Sequence, residues 1–131
     1  MVHININENC KFILDLEHDL QTVVANYLRK CDILFTATVG GFLDTTVKRL
    51  RSWEEGYQAG VPDIMIYTSS GNGEYCGLAL ELKRPDGKGT FPKKQVDWLN
   101  NLENNGWFCM GTNDLVLIIE TVTKYIDGTL K

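Results

Sequence analysis

Asp63, Glu81 and Lys83 are the residues whose types and spacing point most directly to chemistry. Asp63 opens an apolar run, and Glu81 lies near the end of a second one. The two runs are joined by the polar link 69–74, which contains Asn72-Gly73. An Asn-Gly pair between apolar runs signals a hairpin, and antiparallel pairing would then bring Asp63 and Glu81 to the same end. Residues two apart on a strand point to one face, so Glu81 and Lys83 point together. The surrounding Leu78-Ala79-Leu80 and Leu82 are apolar, which makes Glu81 an acid within a largely buried strand. Such a group is expensive unless it is paired or holds a metal. Mg²⁺ binds through one or two carboxylates and keeps several waters. A metal held this way polarises a phosphate oxygen and acidifies bound water, while Lys83 orients that water or neutralises developing charge. Hydrolysis of a phosphodiester is the reaction these groups suit. The plainer alternative is a Glu81–Lys83 salt bridge at a strand end, with Asp63 as a turn residue.

The elements that must position these residues can be read from hydrophobic periodicity. Leu16, Leu20, Val23, Val24, Tyr27 and Leu28 predict an amphipathic helix from about Leu14 to Lys30, with Glu17 and Gln21 one turn apart on its other face. Ile33 to Val39 reads as a strand stopped by Gly40-Gly41. Asp44 to Tyr57 reads as a helix, with Val47, Leu50, Trp53 and Tyr57 at helical spacing, ended by Gly56, Gly60 and Pro62. The hairpin strands are Asp63 to Thr68 and Tyr75 to Lys83. A Gly- and Lys-rich loop, Arg84 to Thr90, leads to a helix from about Pro92 to Asn104. Trp107 to Met110 is a short strand, and Asn113 is the expected cap of a last helix that runs to Tyr125 and Ile126. The predicted order is helix, strand, helix, hairpin, helix, strand, helix, an α/β arrangement around a small mixed sheet.

Composition narrows the class of protein. With 131 residues, 44% hydrophobic and 23% charged, the chain is expected to form one stand-alone domain over 1–131 without a disulfide framework. The longest uncharged stretch, Ile33 to Leu43, is too short to cross a bilayer, and no signal peptide is read, so a soluble intracellular protein is expected. Cys10, Cys31, Cys76 and Cys109 are too scattered for a zinc site and are expected to be small buried or half-buried thiols. Neither His3 nor His18 has metal or triad spacing. The net charge of −4 argues against binding nucleic acid by overall charge. Basic residues nevertheless cluster in the middle third, as Lys48, Arg49 and Arg51 and as Lys83, Arg84, Lys88, Lys93 and Lys94. Alone, such clusters are usually solvated surface.

Gly60-Val61-Pro62-Asp63 followed by Glu81-Leu82-Lys83 resembles the P-D...(D/E)-x-K signature of restriction endonucleases and Holliday junction resolvases. More specifically, the chain resembles the VRR-NUC domain, the virus-type replication-repair nuclease. Glu17 with Gln21, the basic helix before Gly60, Gln95 shortly before Trp98, and Gly106-Trp107 match as well, over roughly Leu16 to Ile126. The resemblance implies a restriction-endonuclease-like core, a small mixed β-sheet flanked by α-helices. It implies that Asp63 and Glu81 are metal ligands and Lys83 the catalytic lysine. By the same resemblance, Glu17 reaches the metal directly or through water, Gln95 positions water, metal or phosphate, and the Leu82 backbone carbonyl completes the coordination. The implied cofactor is Mg²⁺, with Mn²⁺ as its substitute. The implied partner is DNA in branched or four-way form, contacted by Lys48, Arg49, Arg51, Arg84, Lys88, Lys93 and Lys94. A homodimer acting on four-way junctions, virus- or phage-encoded, is expected. The alternatives are a flap-directed or sequence-specific nuclease on the same core, and a non-catalytic nucleic-acid-binding module. Trp98 and Trp107 are expected in the core rather than stacked on bases, and Asp86 in a turn.

Overall fold

The computed structural model describes residues 2–8, 17–38 and 43–130. The chain order is β1 (His3–Asn5), α1 (Glu17–Lys30), β2 (Phe35–Ala37), α2 (Thr46–Glu54), β3 (Ile64–Ile66), β4 (Gly77–Leu82), α3 (Lys93–Asn104), β5 (Trp107–Thr112) and α4 (Leu115–Asp127). The five strands form one mixed sheet in the order β1-β5-β4-β3-β2. β4 pairs antiparallel with β3 and parallel with β5, and β1 joins the other edge of β5 in parallel. The hairpin register is Ile64 opposite Leu80 and Ile66 opposite Leu78, and continued by one residue it sets Asp63 across from Glu81, so the antiparallel pairing expected from the Asn-Gly link is observed.

Alternation along the strands sorts side chains between two faces. Ile64, Ile66, Leu78, Leu80, Leu82, Phe108 and Met110 point to the side covered by α1 and α4. There they meet Leu20, Val24 and Leu28, three α1 residues four apart, and Ile118, Val122 and Tyr125 of α4. The opposite face carries the small Ala79 and Cys109 together with Met65, packed against Leu99 of α3. β4 is buried along its whole length because it is central in the sheet and covered on both faces.

Several local expectations change. The short β1 strand carries no periodic signal and is absent from the sequence reading. The cap of α4 is Asp114, whose side chain accepts from the amides of Val116 and Leu117. Asn113 instead bridges outward, its amide donating to the carbonyls of Asn7 and Pro85, which ties the N-terminal segment to the loop after β4. Cys31 and Cys76 are exposed rather than buried, since one follows the end of α1 and the other precedes β4. Cys109 is buried and its thiol is pushed up to about 12 by desolvation. Cys10 and the first residues of the predicted first helix lie outside the described residues. No helix among the described residues is long and apolar enough to cross a membrane.

α2 departs most from the pattern of the other helices. Thr45 caps it by accepting from the Lys48 amide at 3.1 Å, yet none of its residues is buried. Val47, Leu50 and Trp53 are 72%, 57% and 67% exposed, so their helical spacing forms a stripe that faces away from the core. Leu80→Ala, in the centre of β4, should therefore lower stability by about 2–5 kcal/mol. Leu50→Ala should change it by less than about 0.5 kcal/mol. Urea denaturation of the two variants, with midpoints compared at equal slope, checks the contrast.

Candidate active site

The hairpin register accounts for the centre of the site. Asp63 immediately precedes β3, and its Oδ2 accepts from the Leu82 amide at 2.7 Å, so the carboxylate bridges to the partner strand. The backbone at Asp63 is held by Thr38, whose amide donates to the Asp63 carbonyl and whose hydroxyl donates to that of Pro62. Glu81 lies on the α3 side of β4, two residues after Ala79, and only 2% of it is exposed. Its neighbour across the parallel pair is Gly111. A side chain at Gly111 would run into the Phe91 ring, so the absence of a Cβ lets Phe91 sit there. Lys83, 5% exposed, lies with its Nζ 4.6 Å from the Phe91 ring centroid. That ammonium donates to Gln95 Oε1 at 2.5 Å and lies 3.5 Å from Glu81 Oε1. Gln95 stands in the first turn of α3 after Pro92, whose carbonyl accepts from the Gln95 amide.

One ammonium thus faces two carboxylates inside the protein. Burial raises both carboxyl pKa values. For Asp63 the Leu82 amide and Lys83 pull in the opposite direction. Glu81 rises to about 8, first through desolvation and second through the Asp63 charge, with Lys83 opposing. Glu17, the first residue of α1, is half-buried, and its pKa is also raised by desolvation and by Asp63. The Tyr57 hydroxyl is raised by desolvation and then by Asp63 and Glu81, which places it on the same electrostatic site.

Glu81 Oε2 is the group that asks for something more. It is buried and has no hydrogen-bond partner among the described residues. An ionised oxygen in that position, beside a second carboxylate, suits a hard divalent cation. Asp63 and Glu81 are the carboxylates that could hold such an ion, with the Leu82 backbone between Glu81 and Lys83. No group of three or more His, Cys, Asp or Glu gathers at metal-binding spacing among the described residues. Two carboxylates completed by carbonyl and water are ordinary for Mg²⁺.

Glu17, Asp63, Glu81 and Gln95 line one open cleft of about 850 Å³ between α1, the start of β3 and α3. Lys83 stands behind Glu81 and Gln95, through the bonds described. The seven basic residues expected to contact DNA fall elsewhere, because none of them lines the cleft. Lys48 pairs with Asp44, Arg84 with Asp86 and Lys93 with Asp97, each at 2.9 Å or less. Arg49 donates to the Leu43 carbonyl, and Lys88 donates its amide to Asp86, which is the turn residue expected. Lys94 lines a neighbouring hollow, and Arg51 is exposed on α2. The cleft's own basic wall is Arg29, with His18 nearby. Sequence reasoning missed Arg29, Thr38 and Tyr57. Gln21 sits one turn from Glu17 on the face that α1 keeps out of the core, and Arg29 lies two further turns along it. That periodicity was the available signal for Arg29. Tyr57 was counted as an apolar helix position, but it follows the end of α2. Trp107 is half-buried and packs against the Met65, Ala79, Leu99 and Cys109 cluster, as expected, and Trp98 is half-buried as well. Trp98 Nε1 donates to the Ala59 carbonyl at 3.2 Å, while Trp107 covers Gly77 and meets Tyr67 edge-on.

No protein-family model matches the chain, and no curated protein does. Among solved structures, one described as a VRR_NUC domain protein has a similar fold, with a TM-score of 0.70. The match covers 85% of this chain and 88% of that one at 23% identity. This shows that the chain shares the fold of that protein, the mixed α/β sheet flanked by helices that was expected.

The raised Glu81 pKa sets a pH dependence. An unfolded glutamate titrates near 4.5 and the folded one near 8, so protonation favours the folded chain. This contribution is complete below the unfolded value and is lost as pH rises through about 8, with a slope of up to about 1.4 kcal/mol per pH unit. In EDTA, the melting temperature of the native chain should fall between pH 6 and pH 9, and Glu81→Gln should remove most of that fall. Parallel slopes for the two proteins would show that Glu81 is not the buried acid described here.

Proposed function

We propose that this chain is a Mg²⁺- or Mn²⁺-dependent endonuclease that hydrolyses phosphodiester bonds in branched DNA, acting as a homodimeric four-way junction resolvase. The observation that carries the reading is the unpartnered, buried Glu81 Oε2 beside Asp63, with the Lys83 ammonium directed onto the same carboxylate. Likeness in fold to a VRR_NUC domain protein supports nuclease chemistry for that arrangement.

In this reading Asp63, Glu81 and the Leu82 carbonyl hold the ion, which when bound polarises a phosphate oxygen and acidifies water. Leu82 would contribute twice, since its amide fixes Asp63 Oδ2 and so holds the Asp63 carboxylate in place. Lys83 sets its ammonium where charge builds on the phosphoryl oxygens. Gln95 accepts from that ammonium and keeps it from folding fully onto Glu81. Glu17 and Tyr57 bound the cleft and order water there, and Arg29 contacts a phosphate beside the scissile one. A two-fold pair of such sites matches the two-fold symmetry of a four-way junction.

The test is cleavage of equal-length labelled duplex, single strand, flap, splayed arm and four-way junction in Mg²⁺, Mn²⁺ and EDTA. Paired incisions near the crossover, lost in EDTA and reduced about 10²- to 10³-fold by Lys83→Ala, are expected. Preferential cleavage of the flap would identify the flap-directed enzyme instead. Binding without cleavage in either metal would indicate a nucleic-acid-binding module.

A further inference from the structure

The acidic cleft continues into two further hollows. The first shares Ala37, Thr38, Tyr57 and Val61 with the cleft and has Trp98 as its far wall. The second, of about 550 Å³, shares Gln58 and Trp98 with the first and is closed on its other side by Trp53 of α2. Neighbouring hollows that share lining residues thus run from the cleft of Asp63 and Glu81 to a recess lined by Trp53 and Trp98.

That recess has one fixed side and one free side. Trp98 is half-buried and pinned by its bond to the Ala59 carbonyl. The loop that carries Ala59 is pressed onto the first turn of α3, since a Cβ on Gly60 would lie 2.8 Å from the Lys94 backbone. Trp53 is 67% exposed, and nothing in the core uses it. Lys94 lines the recess, while Asp97 there is neutralised by Lys93. Asn101 and Gln58 supply amides that can hydrogen-bond to the edge of a planar ring. Aromatic faces beside a cation and amides match a nucleobase with its phosphate.

We propose that Trp53 and Trp98 form a base-stacking subsite that takes an unpaired nucleotide flanking the phosphate held in the cleft. A base inside a duplex already has both faces covered by its neighbours, so only an extruded or single-stranded base can enter. The inference rests on the nuclease reading and adds that a nucleotide beside the cut, at a four-way junction one at the crossover, is drawn out of its pair. Trp53 and Trp98 are specificity determinants here and take no part in bond cleavage.

The test uses two labelled DNAs that differ only in whether the flanking nucleotides are paired, with 2-aminopurine at the flanking position. Binding is read by anisotropy and 2-aminopurine quenching with the Lys83→Ala chain in Mg²⁺, and cleavage with the otherwise native chain. Trp53→Ala should weaken binding of the splayed DNA about tenfold or more and abolish the quenching. Binding of the fully paired DNA should stay within about twofold. Trp53→Tyr should restore the splayed-DNA effect and Trp53→Leu should not. Equal losses on both DNAs, rescue by Trp53→Leu, or a Trp53-dependent change in the mass of the free protein would overturn the subsite, the last by making this face a contact between copies. If the native chain cleaves DNA and Trp53→Ala is indifferent, the subsite falls and the nuclease stands. If stacking is seen but no DNA is cut in either metal, the nuclease falls and the base-binding surface stands. If neither is seen, both fall.

Discussion

Two carboxylates and one ammonium buried at the end of a central strand constrain everything around them. Burial of Glu81 is possible only because the ammonium of Lys83 reaches it from the same face of β4 and Asp63 is fastened to the Leu82 amide. Desolvation still outweighs this pairing, as the Glu81 pKa near 8 shows. The arrangement favours a proton or a cation at neutral pH, and a plain structural salt bridge of this geometry would be weak evidence for stability. The uncompensated oxygen is therefore read as function rather than as part of the core.

The rest of the sheet is shaped to tolerate that cluster. The face toward α1 and α4 is filled by large aliphatic and aromatic side chains, whereas the face toward α3 carries Ala79 and Cys109, with Gly111 beside Glu81. The small residues leave depth for the Glu81 and Lys83 side chains beneath α3, and Phe91 fills the space over Gly111. Changing the register of β3 against β4 by one residue would move Glu81 away from Asp63 and direct the apolar residues to the wrong face. Core packing and site assembly thus depend on one register.

The antiparallel pairing was legible in the sequence because the Asn-Gly link joins two apolar runs, but its exact register was not, since Asn72-Gly73 lies within the longer connection 67–76 instead of closing a two-residue turn. The meeting of Asp63, Glu81 and Lys83 followed from the pairing. The association of Gln95 and Glu17 with the cluster came only from the family resemblance, since each arrives on a different helix by tertiary packing. The position of the basic residues was read less well. Nearness in sequence to Lys83 put Arg84 to Lys94 around the site, but none of these basic residues lines the cleft, and Arg84 and Lys93 bond to their own neighbours. Arg29 was hidden because its membership of the cleft depends on how α1 lies across the sheet. Likewise Val47, Leu50 and Trp53 have the spacing of a core face, and periodicity cannot distinguish a buried stripe from an outward one.

The electrostatics of the cleft bear on how an acidic chain could act on a polyanion. Glu17, Asp63 and Glu81 are gathered there against Arg29 and the buried Lys83, so without a cation the cleft is a poor host for phosphate. Protonation of Glu81 removes one negative charge, and a divalent ion removes two, with the ion also supplying positive charge at the point where phosphate must sit. On the proposed reading, metal binding would come before productive DNA binding, because the ion changes the sign of the local field. The overall charge of −4 then opposes non-specific coating of DNA without opposing binding at this one groove. On the same reading, selectivity for DNA shape would follow. A protein that gains little from long-range attraction must draw its affinity from a few short-range contacts, and only a substrate that bends or splays into the groove can make them together.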